Sequence, residues 1–119
     1  MKKIAIIIPT YNELDNIEKL INSILIYIPK SSIFIVDDSE NLEIQKLIDS
    51  KKLKVNYFHR EKSKGRGSAV LYGFRKALEK ENFEIFVEMD ADFSHNPNEL
   101  KRNIIKFDEL NLDLLIASR

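Results

Sequence analysis

Two aspartates that stand two positions apart are the first candidates for chemistry in this sequence. They belong to the triplet Asp90-Ala91-Asp92. At a strand end, both carboxylates can turn to one side and share a divalent cation, and carboxylate oxygens suit Mg²⁺ or Mn²⁺. The alternative is a solvated acidic turn, and the triplet taken by itself favours that alternative.

Asp37 and Asp38 form a second acidic pair. Adjacent residues of an extended strand point to opposite faces, so only one of the two is expected to reach a ligand. One interpretation is a carboxylate that accepts hydrogen bonds from a nucleobase or a ribose. The other is an acid that caps the following helix near its positive N-terminal end. The two residues alone do not separate these interpretations.

All three glycines of the chain, Gly65, Gly67 and Gly73, lie close together. The first two flank Arg66 and follow Lys64, at the point where a helix is expected to begin. Glycine lets backbone N–H groups approach an anion closely, and the two basic side chains add positive charge. A flexible turn with solvated charges is the alternative.

Two histidines and one tyrosine complete the candidates. His95 can contact a phosphate or hold the acidic loop through a backbone hydrogen bond, whereas His59, at a strand end, is expected to be structural. Tyr11 can stack on a base, although an aromatic residue after a strand more often serves packing. With only these two histidines, serine hydrolysis is poorly supported.

The composition limits the classes of function. The 119 residues, 44% hydrophobic and 32% charged, suit one domain with a buried core. Nineteen basic and nineteen acidic residues cancel, so no bulk charge favours a nucleic acid or an anionic membrane. The lack of cysteine excludes disulfides and thiolate zinc sites. The longest apolar run, residues 4–8, falls far short of the roughly 20 needed to cross a bilayer, so a cytoplasmic protein is expected.

The elements that position the candidate residues follow from the apolar pattern. A continuous apolar run predicts a strand at residues 4–8, and segments rich in β-branched, aromatic and other apolar residues predict strands at residues 33–36, 55–59, 85–89 and 114–117. Helical spacing predicts helices at residues 14–28, 44–48, 67–78 and 97–107. Pro9 is expected to end the first strand because proline cannot donate to a ladder. Regular alternation predicts an α/β fold with a doubly wound, mostly parallel sheet.

The candidate residues directly follow the predicted strands. Tyr11 comes after the first strand, Asp37 and Asp38 after the second, Arg60 after the third and Asp90 after the fourth. In an open parallel sheet, ligands bind beyond the carboxyl ends of the strands. The topology therefore predicts that these residues converge on one site.

Together, and in this order, the motifs resemble family 2 glycosyltransferases of the GT-A fold, and most closely the dolichyl-phosphate or polyprenyl-phosphate mannose synthases. The Met-Asp-Ala-Asp-Phe-Ser-His form is similar to the mannose synthase branch in particular. The matching stretches span essentially the whole chain: Pro9-Thr10-Tyr11-Asn12-Glu13, Ile35-Val36-Asp37-Asp38-Ser39, Lys64-Gly65-Arg66-Gly67-Ser68-Ala69, Met89-Asp90-Ala91-Asp92-Phe93-Ser94-His95 and Ala117-Ser118-Arg119.

The resemblance implies a Rossmann-like nucleotide-binding fold and an inverting transfer of mannose from GDP-mannose to the phosphate of a polyprenol lipid. It implies a divalent metal, Mg²⁺ or Mn²⁺, on Asp90 and Asp92, and catalytic roles for Asp92 and Arg119. No nucleic-acid partner is expected. Association with the cytosolic face of a membrane is expected only through the acceptor or a C-terminal region. The nucleotide-sugar-binding residues that it implies are Pro9, Tyr11, Glu13, Asp37, Asp38, Lys64, Gly67, Asp90, Ala91 and Asp92.

Residues 1–119 are expected to form a single nucleotide-sugar-binding domain, truncated relative to the family's catalytic domain. The family's acceptor-binding half would follow Arg119, and Glu40-Asn41-Leu42-Glu43 departs from the family's second motif. The alternatives are a non-catalytic nucleotide-sugar-binding fragment and a UDP-sugar-dependent transferase of the same family. A third alternative, an aspartate-dependent phosphatase, needs further lysine and acidic residues downstream and is disfavoured, because only 25 residues of this sequence follow Ser94.

Overall fold

The computed structural model describes residues 3–12, 14–61, 65–91 and 115–116. The strands are β1 (Ile4–Thr10), β2 (Ser32–Asp37), β3 (Asn56–His59), β4 (Ile85–Glu88) and β5 (Leu115–Ile116), and the helices are α1 (Leu14–Tyr27), α2 (Glu43–Lys51) and α3 (Arg66–Lys80). The strands form one parallel sheet in the order β3-β2-β1-β4-β5. The predicted α/β fold is confirmed, while the helix predicted at 97–107 lies outside the described residues. None of the described helices is long and apolar enough to cross a membrane.

The central strand β1 is buried along its whole length and belongs to two cores. Ile6 and Ile8 pack on one face with apolar residues of α1 and α2. Ala5 and Ile7 pack on the other face with Ala77 of α3. Burial of one such isoleucine side chain contributes about 1.5–3 kcal/mol. A strand covered on both faces needs an uninterrupted apolar run, which explains why this segment does not alternate with polar residues.

Pro9 does not end β1, and that part of the prediction is wrong. The main-chain oxygen of Ile7 accepts a hydrogen bond of 3.0 Å from the N–H of Met89, so Ile7 presents its main-chain groups toward β4. Pro9, two residues on, faces the same way, because orientation alternates along a strand. The register with β4 ends at the pair Ile7 and Glu88. The missing N–H of Pro9 therefore faces a side where pairing has stopped, and the pairing with β2 continues past it.

Gly73 lets α3 lie close against the sheet. A Cβ atom at this position would stand 2.5 Å from Cγ2 of Ile7 and 3.3 Å from Cγ2 of Val36, both buried sheet residues. The first of these distances is too short for real carbon atoms, so only glycine fits the observed spacing. This close packing holds α3 in place, and the start of α3 lies near the carboxyl edge of the sheet.

The direction of the strand order reverses at β1. Strands β2 and β3 follow on one side of β1, and β4 and β5 lie on the other. Helices α1 and α2 cover one face, while α3 covers the opposite face. The crevice between β1 and β4, at their carboxyl ends, is the topological switch point where ligands of such sheets bind.

Candidate functional site

A buried ion pair joins the ends of β2 and β3. Nε and Nη2 of Arg60 each lie 2.7 Å from a different carboxylate oxygen of Asp38, and the side chains are only 9% and 7% exposed. The hydrogen bonds to Asp38 raise the pKa of Arg60, against the lowering effect of its burial. Nη1 of Arg60 also donates to Oγ of Ser68 at 2.8 Å, and the N–H of Gly65 donates to Asp38 at 3.4 Å. The pair thus anchors the start of α3 to the strand ends.

Asp37 is fully buried at the end of β2, and both of its carboxylate oxygens accept hydrogen bonds. The N–H of Ser39 donates to one oxygen at 2.9 Å, and the hydroxyl of Tyr57 donates to the other at 2.5 Å. Burial raises the pKa of Tyr57, and the hydrogen bond and charge of Asp37 raise it further, so the hydroxyl keeps its proton. Asp37 is therefore a fixed acceptor, while its contact with a nucleoside stays a prediction.

Ser39 links three segments around Asp37. Its Oγ accepts a hydrogen bond of 2.7 Å from the N–H of Asn12, and its main-chain oxygen lies 2.8 Å from Nε2 of His59. The φ angle of Asn12 is 54°, in the left-handed region that asparagine tolerates. His59 thus has the structural contact expected of it. The loop held by Ser39 carries Tyr11, which is 51% exposed and leaves its ring open to a ligand.

At the end of β4, Glu88 and Asp90 both bind the guanidinium of Arg66. Nε of Arg66 lies 3.1 Å from Oδ1 of Asp90, Nη2 donates to the same oxygen, and Nη1 donates to Glu88. Burial acts to lower the pKa of Arg66, but its hydrogen bonds to the two carboxylates and their charges raise it overall. A predicted metal ligand therefore stands beside a positively charged guanidinium and a second carboxylate.

The donor atoms at this edge fit a divalent cation. The carboxylates of Glu88 and Asp90 already converge on one positive group, and their oxygens are the type that Mg²⁺ and Mn²⁺ prefer. Within the described part of the chain, no group of three or more histidine or acidic side chains converges. The second predicted ligand, Asp92, lies outside that part, so the metal site stays a prediction.

The predicted nucleotide-sugar-binding residues that the structure describes all lie at the carboxyl edge of the sheet or at the start of α3. Among them Pro9 and Ala91 are buried, whereas Tyr11 and Gly67 are exposed. The described residues of this set are Pro9, Tyr11, Asp37, Asp38, Gly67, Asp90 and Ala91. The other members of the set, Glu13, Lys64 and Asp92, lie outside the described residues, as do the further candidates His95 and Arg119.

The sequence does not predict the roles of two residues at this edge. It predicts Glu88 only as part of a strand, whereas in the structure Glu88 binds Arg66 together with Asp90. The two-residue spacing of these acids, which places both on one side of the strand, was the available signal. The sequence likewise predicts Tyr57 only as part of a strand, and no neighbouring residue marks it as the partner of Asp37.

A separate groove of about 550 Å³ lies between the first turns of α1 and one side of α2. It combines acidic and basic side chains with two leucines. The lining residues are Leu14, Asp15, Glu18, Lys19, Glu43, Lys46, Leu47 and Ser50. This mixed lining gives the groove no single charge.

Comparison with known proteins decides the family. The model of the family described as "Glycosyl transferase family 2" matches residues 5–119. The chain belongs to glycosyl transferase family 2. This family 2 chain is 33% identical over 120 residues to the undecaprenyl-phosphate mannosyltransferase of Micrococcus luteus, covering 98% of the chain and 48% of that protein. It is 36% identical over 122 residues to the polyprenol monophosphomannose synthase of Mycolicibacterium smegmatis, covering 99% of the chain and 45% of that protein.

Solved structures of other proteins share the fold of this family 2 chain. Residues 1–349 of TarS from S. aureus, in complex with UDP, match with a TM-score of 0.66 and 27% identity over 90% of this chain and 32% of that chain. The mannosyltransferase PcManGT of Pyrobaculum calidifontis, in complex with GDP-Man and Mn²⁺, matches in fold with a TM-score of 0.59 and 22% identity over 84% and 32%. The resemblance seen in the motifs is confirmed, and the chain spans about half the length of the curated relatives it matches.

Proposed function

We propose that this chain is the nucleotide-sugar-binding part of an inverting, metal-assisted hexosyltransferase, which transfers mannose from GDP-mannose to a polyprenyl or dolichyl phosphate. The observation that carries the proposal is the convergence of charged groups from the ends of β2, β3 and β4 around the start of α3, at the carboxyl edge of the sheet. These groups are Asp37, Asp38, Arg60 and Asp90, joined there by Arg66. Two relatives whose names describe mannosyl transfer to polyprenyl carriers support the reaction class.

The diphosphate end of the donor belongs at β4 in this proposal. Asp90 and Asp92 would hold the divalent metal, which when bound stabilises the negative charge on a leaving nucleoside diphosphate. Arg66 adds a second positive charge at the same edge. Arg119 is assigned to the donor by the resemblance. The acceptor phosphate is already an anionic nucleophile and needs no strong general base, so positioning supplies most of the catalysis.

The nucleoside end belongs at β1 and β2. The exposed ring of Tyr11 offers a flat surface on which a base can stack, and Pro9 and Asp37 lie below that loop at the strand ends. The buried pair of Asp38 and Arg60 supports this region from the side of α3. The remaining members of the proposed binding set are Glu13, Lys64, Gly67 and Ala91.

The lipid acceptor is assigned to a region that the relatives have and this chain does not span. The chain matches 48% and 45% of the two relatives, so their remaining length can hold acceptor contacts. In this proposal the protein meets the cytosolic face of a membrane only through that acceptor or that region. The chain by itself binds the donor.

Calorimetric titration of the 119-residue chain with GDP and with UDP, each in Mn²⁺ and in EDTA, tests the proposal. GDP is expected to bind in Mn²⁺ and to lose most of its affinity in EDTA. The substitution Asp90→Asn should remove this dependence on metal. The control substitution Asp49→Asn changes an exposed aspartate of α2 and should leave the dependence intact. A preference for UDP, the nucleotide bound to TarS, would keep the family and change the donor. A folded chain that binds neither nucleotide would contradict the proposal.

A further inference from the structure

Arg66 holds the same carboxylate that is proposed to bind the metal. Two of its N–H groups converge on Oδ1 of Asp90, with Nε at 3.1 Å, and a third donates to Glu88. The guanidinium therefore neutralises negative charge at this edge of the sheet. Any divalent ion that uses Oδ1 must compete with it.

Competition follows from the geometry of the contact. A carboxylate oxygen that accepts two hydrogen bonds from one guanidinium has its lone pairs directed at those donors. A metal ion that binds the same oxygen has to displace at least one of these bonds. Two positive centres on a single oxygen also repel each other, which adds to the cost of sharing.

Two arginines at this edge differ in how easily they can exchange partners. Arg60 is 9% exposed and grips Asp38 through both carboxylate oxygens. Arg66 is 51% exposed, stands at the first position of α3, and has Gly65 directly before it. A solvated guanidinium loses little when it changes partner, whereas a buried one leaves an unpaired charge behind. Arg60 is thus an anchor, and Arg66 is free to exchange.

We propose that Arg66 is an exchangeable counter-cation of the donor site. Without nucleotide, it neutralises Asp90 and Glu88 and weakens the binding of a divalent ion. When a metal-bound nucleoside diphosphate enters, Arg66 releases Asp90 to the metal and donates its hydrogen bonds to the diphosphate. Metal and nucleotide then favour each other's binding, and this coupling is reciprocal. The inference rests on the proposed function, because it needs a diphosphate ligand at this edge.

The substitution Arg66→Gln separates this role from a structural one, because it shifts two affinities in opposite directions. In the absence of nucleotide, Mn²⁺ should bind about two- to fivefold more tightly, the range expected for an exposed ion pair. In saturating Mn²⁺, GDP should bind about tenfold more weakly, since a charged hydrogen bond to the diphosphate is lost. Free Mn²⁺ is followed by its electron paramagnetic resonance signal, and GDP by calorimetry.

Two variants complete the test. Arg75→Gln removes the same charge from an exposed position of the same helix and should change neither affinity. Arg66→Lys keeps the charge and should restore much of the weak Mn²⁺ binding of the parent chain. Equal Mn²⁺ affinities of the two glutamine variants, or weaker Mn²⁺ binding by Arg66→Gln, would overturn the inference. In that case, metal-dependent GDP binding by the parent chain would still uphold the proposed function. A parent chain that binds no nucleotide would overturn both.

Discussion

At the scale of single residues, three aspartates at strand ends have three different environments. Asp38 is clamped by a buried arginine, Asp37 accepts hydrogen bonds from Ser39 and Tyr57, and Asp90 is held by a solvated arginine. Their positions after strands were predictable, because polar residues interrupt the apolar pattern there. Their partners were not, since each acid bonds a side chain 20 or more residues away in the sequence. Such pairing depends on strand order.

The buried pair of Asp38 and Arg60 is expected to matter for stability. Asp38→Asn leaves a buried guanidinium without its counter-charge, and the free energy of unfolding should fall by about 3 kcal/mol. Urea unfolding followed by circular dichroism measures the loss. The matched control is Glu81→Gln, which removes an exposed partner 3.9 Å from Lys3 and should cost less than about 0.5 kcal/mol. Similar losses in the two variants would show that Asp38 is not an anchor.

Tyr57 is expected to make stability depend on alkaline pH. Because its pKa is raised in the folded chain, Tyr57 keeps its proton above about pH 10, where an unfolded tyrosine releases it. Stability is therefore full below that pH and falls as the pH rises further, by at most about 1.4 kcal/mol per pH unit and by less for a partly buried group.

The variant Tyr57→Phe isolates this effect. Near pH 8 it should be less stable than the parent by about 1 kcal/mol, because Asp37 loses one hydrogen bond. Above pH 10 the difference should narrow, since phenylalanine has no proton to lose. Tyr27→Phe, at an exposed position, serves as the control. Urea unfolding at several pH values gives the curves, and parallel curves for the parent and Tyr57→Phe would refute the account.

At the scale of elements, the position of α3 determines where Arg66 can reach. The sequence predicted this helix, but not how closely it packs, because closeness depends on the side chains of β1 and β2 that face it. Gly73 is the residue that permits the contact. Pro9 was wrongly predicted to end β1. The missing N–H of proline does not interrupt the strand here, because the pairing of β1 with β4 ends before Pro9.

Two glycine substitutions in α3 test this packing. Gly73→Ala forces a methyl group against Ile7 and should lower stability by about 1–3 kcal/mol. Gly67→Ala meets no atom within 4 Å and should be neutral, or stabilising by up to about 1 kcal/mol, because alanine favours helices. Thermal unfolding of both variants gives the comparison. Equal effects would mean that α3 does not lie as close to β1 as described.

At the scale of the whole molecule, the doubly wound order brings distant segments to one edge. Alternating strands and helices were enough to predict the parallel sheet and its ligand-binding edge, since right-handed connections leave few other arrangements. The contact between Asp90 and Arg66 could not be predicted from the sequence. It forms only because β4 lies beside β1 and α3 packs on the face of the sheet opposite to α1 and α2. Family membership then connects this edge to glycosyl transfer.

The most direct test of the account is to locate bound metal by nuclear magnetic resonance. Spectra of the ¹⁵N-labelled chain with GDP are compared in Mn²⁺ and in Mg²⁺, because Mn²⁺ broadens the signals of nearby amides. A metal bound at the end of β4 should cause the strongest broadening at residues 37–39, 65–67 and 90–91, with little effect at residues 28–31 on the opposite edge. Broadening centred on that opposite edge, or on the groove between α1 and α2, would contradict the proposed site.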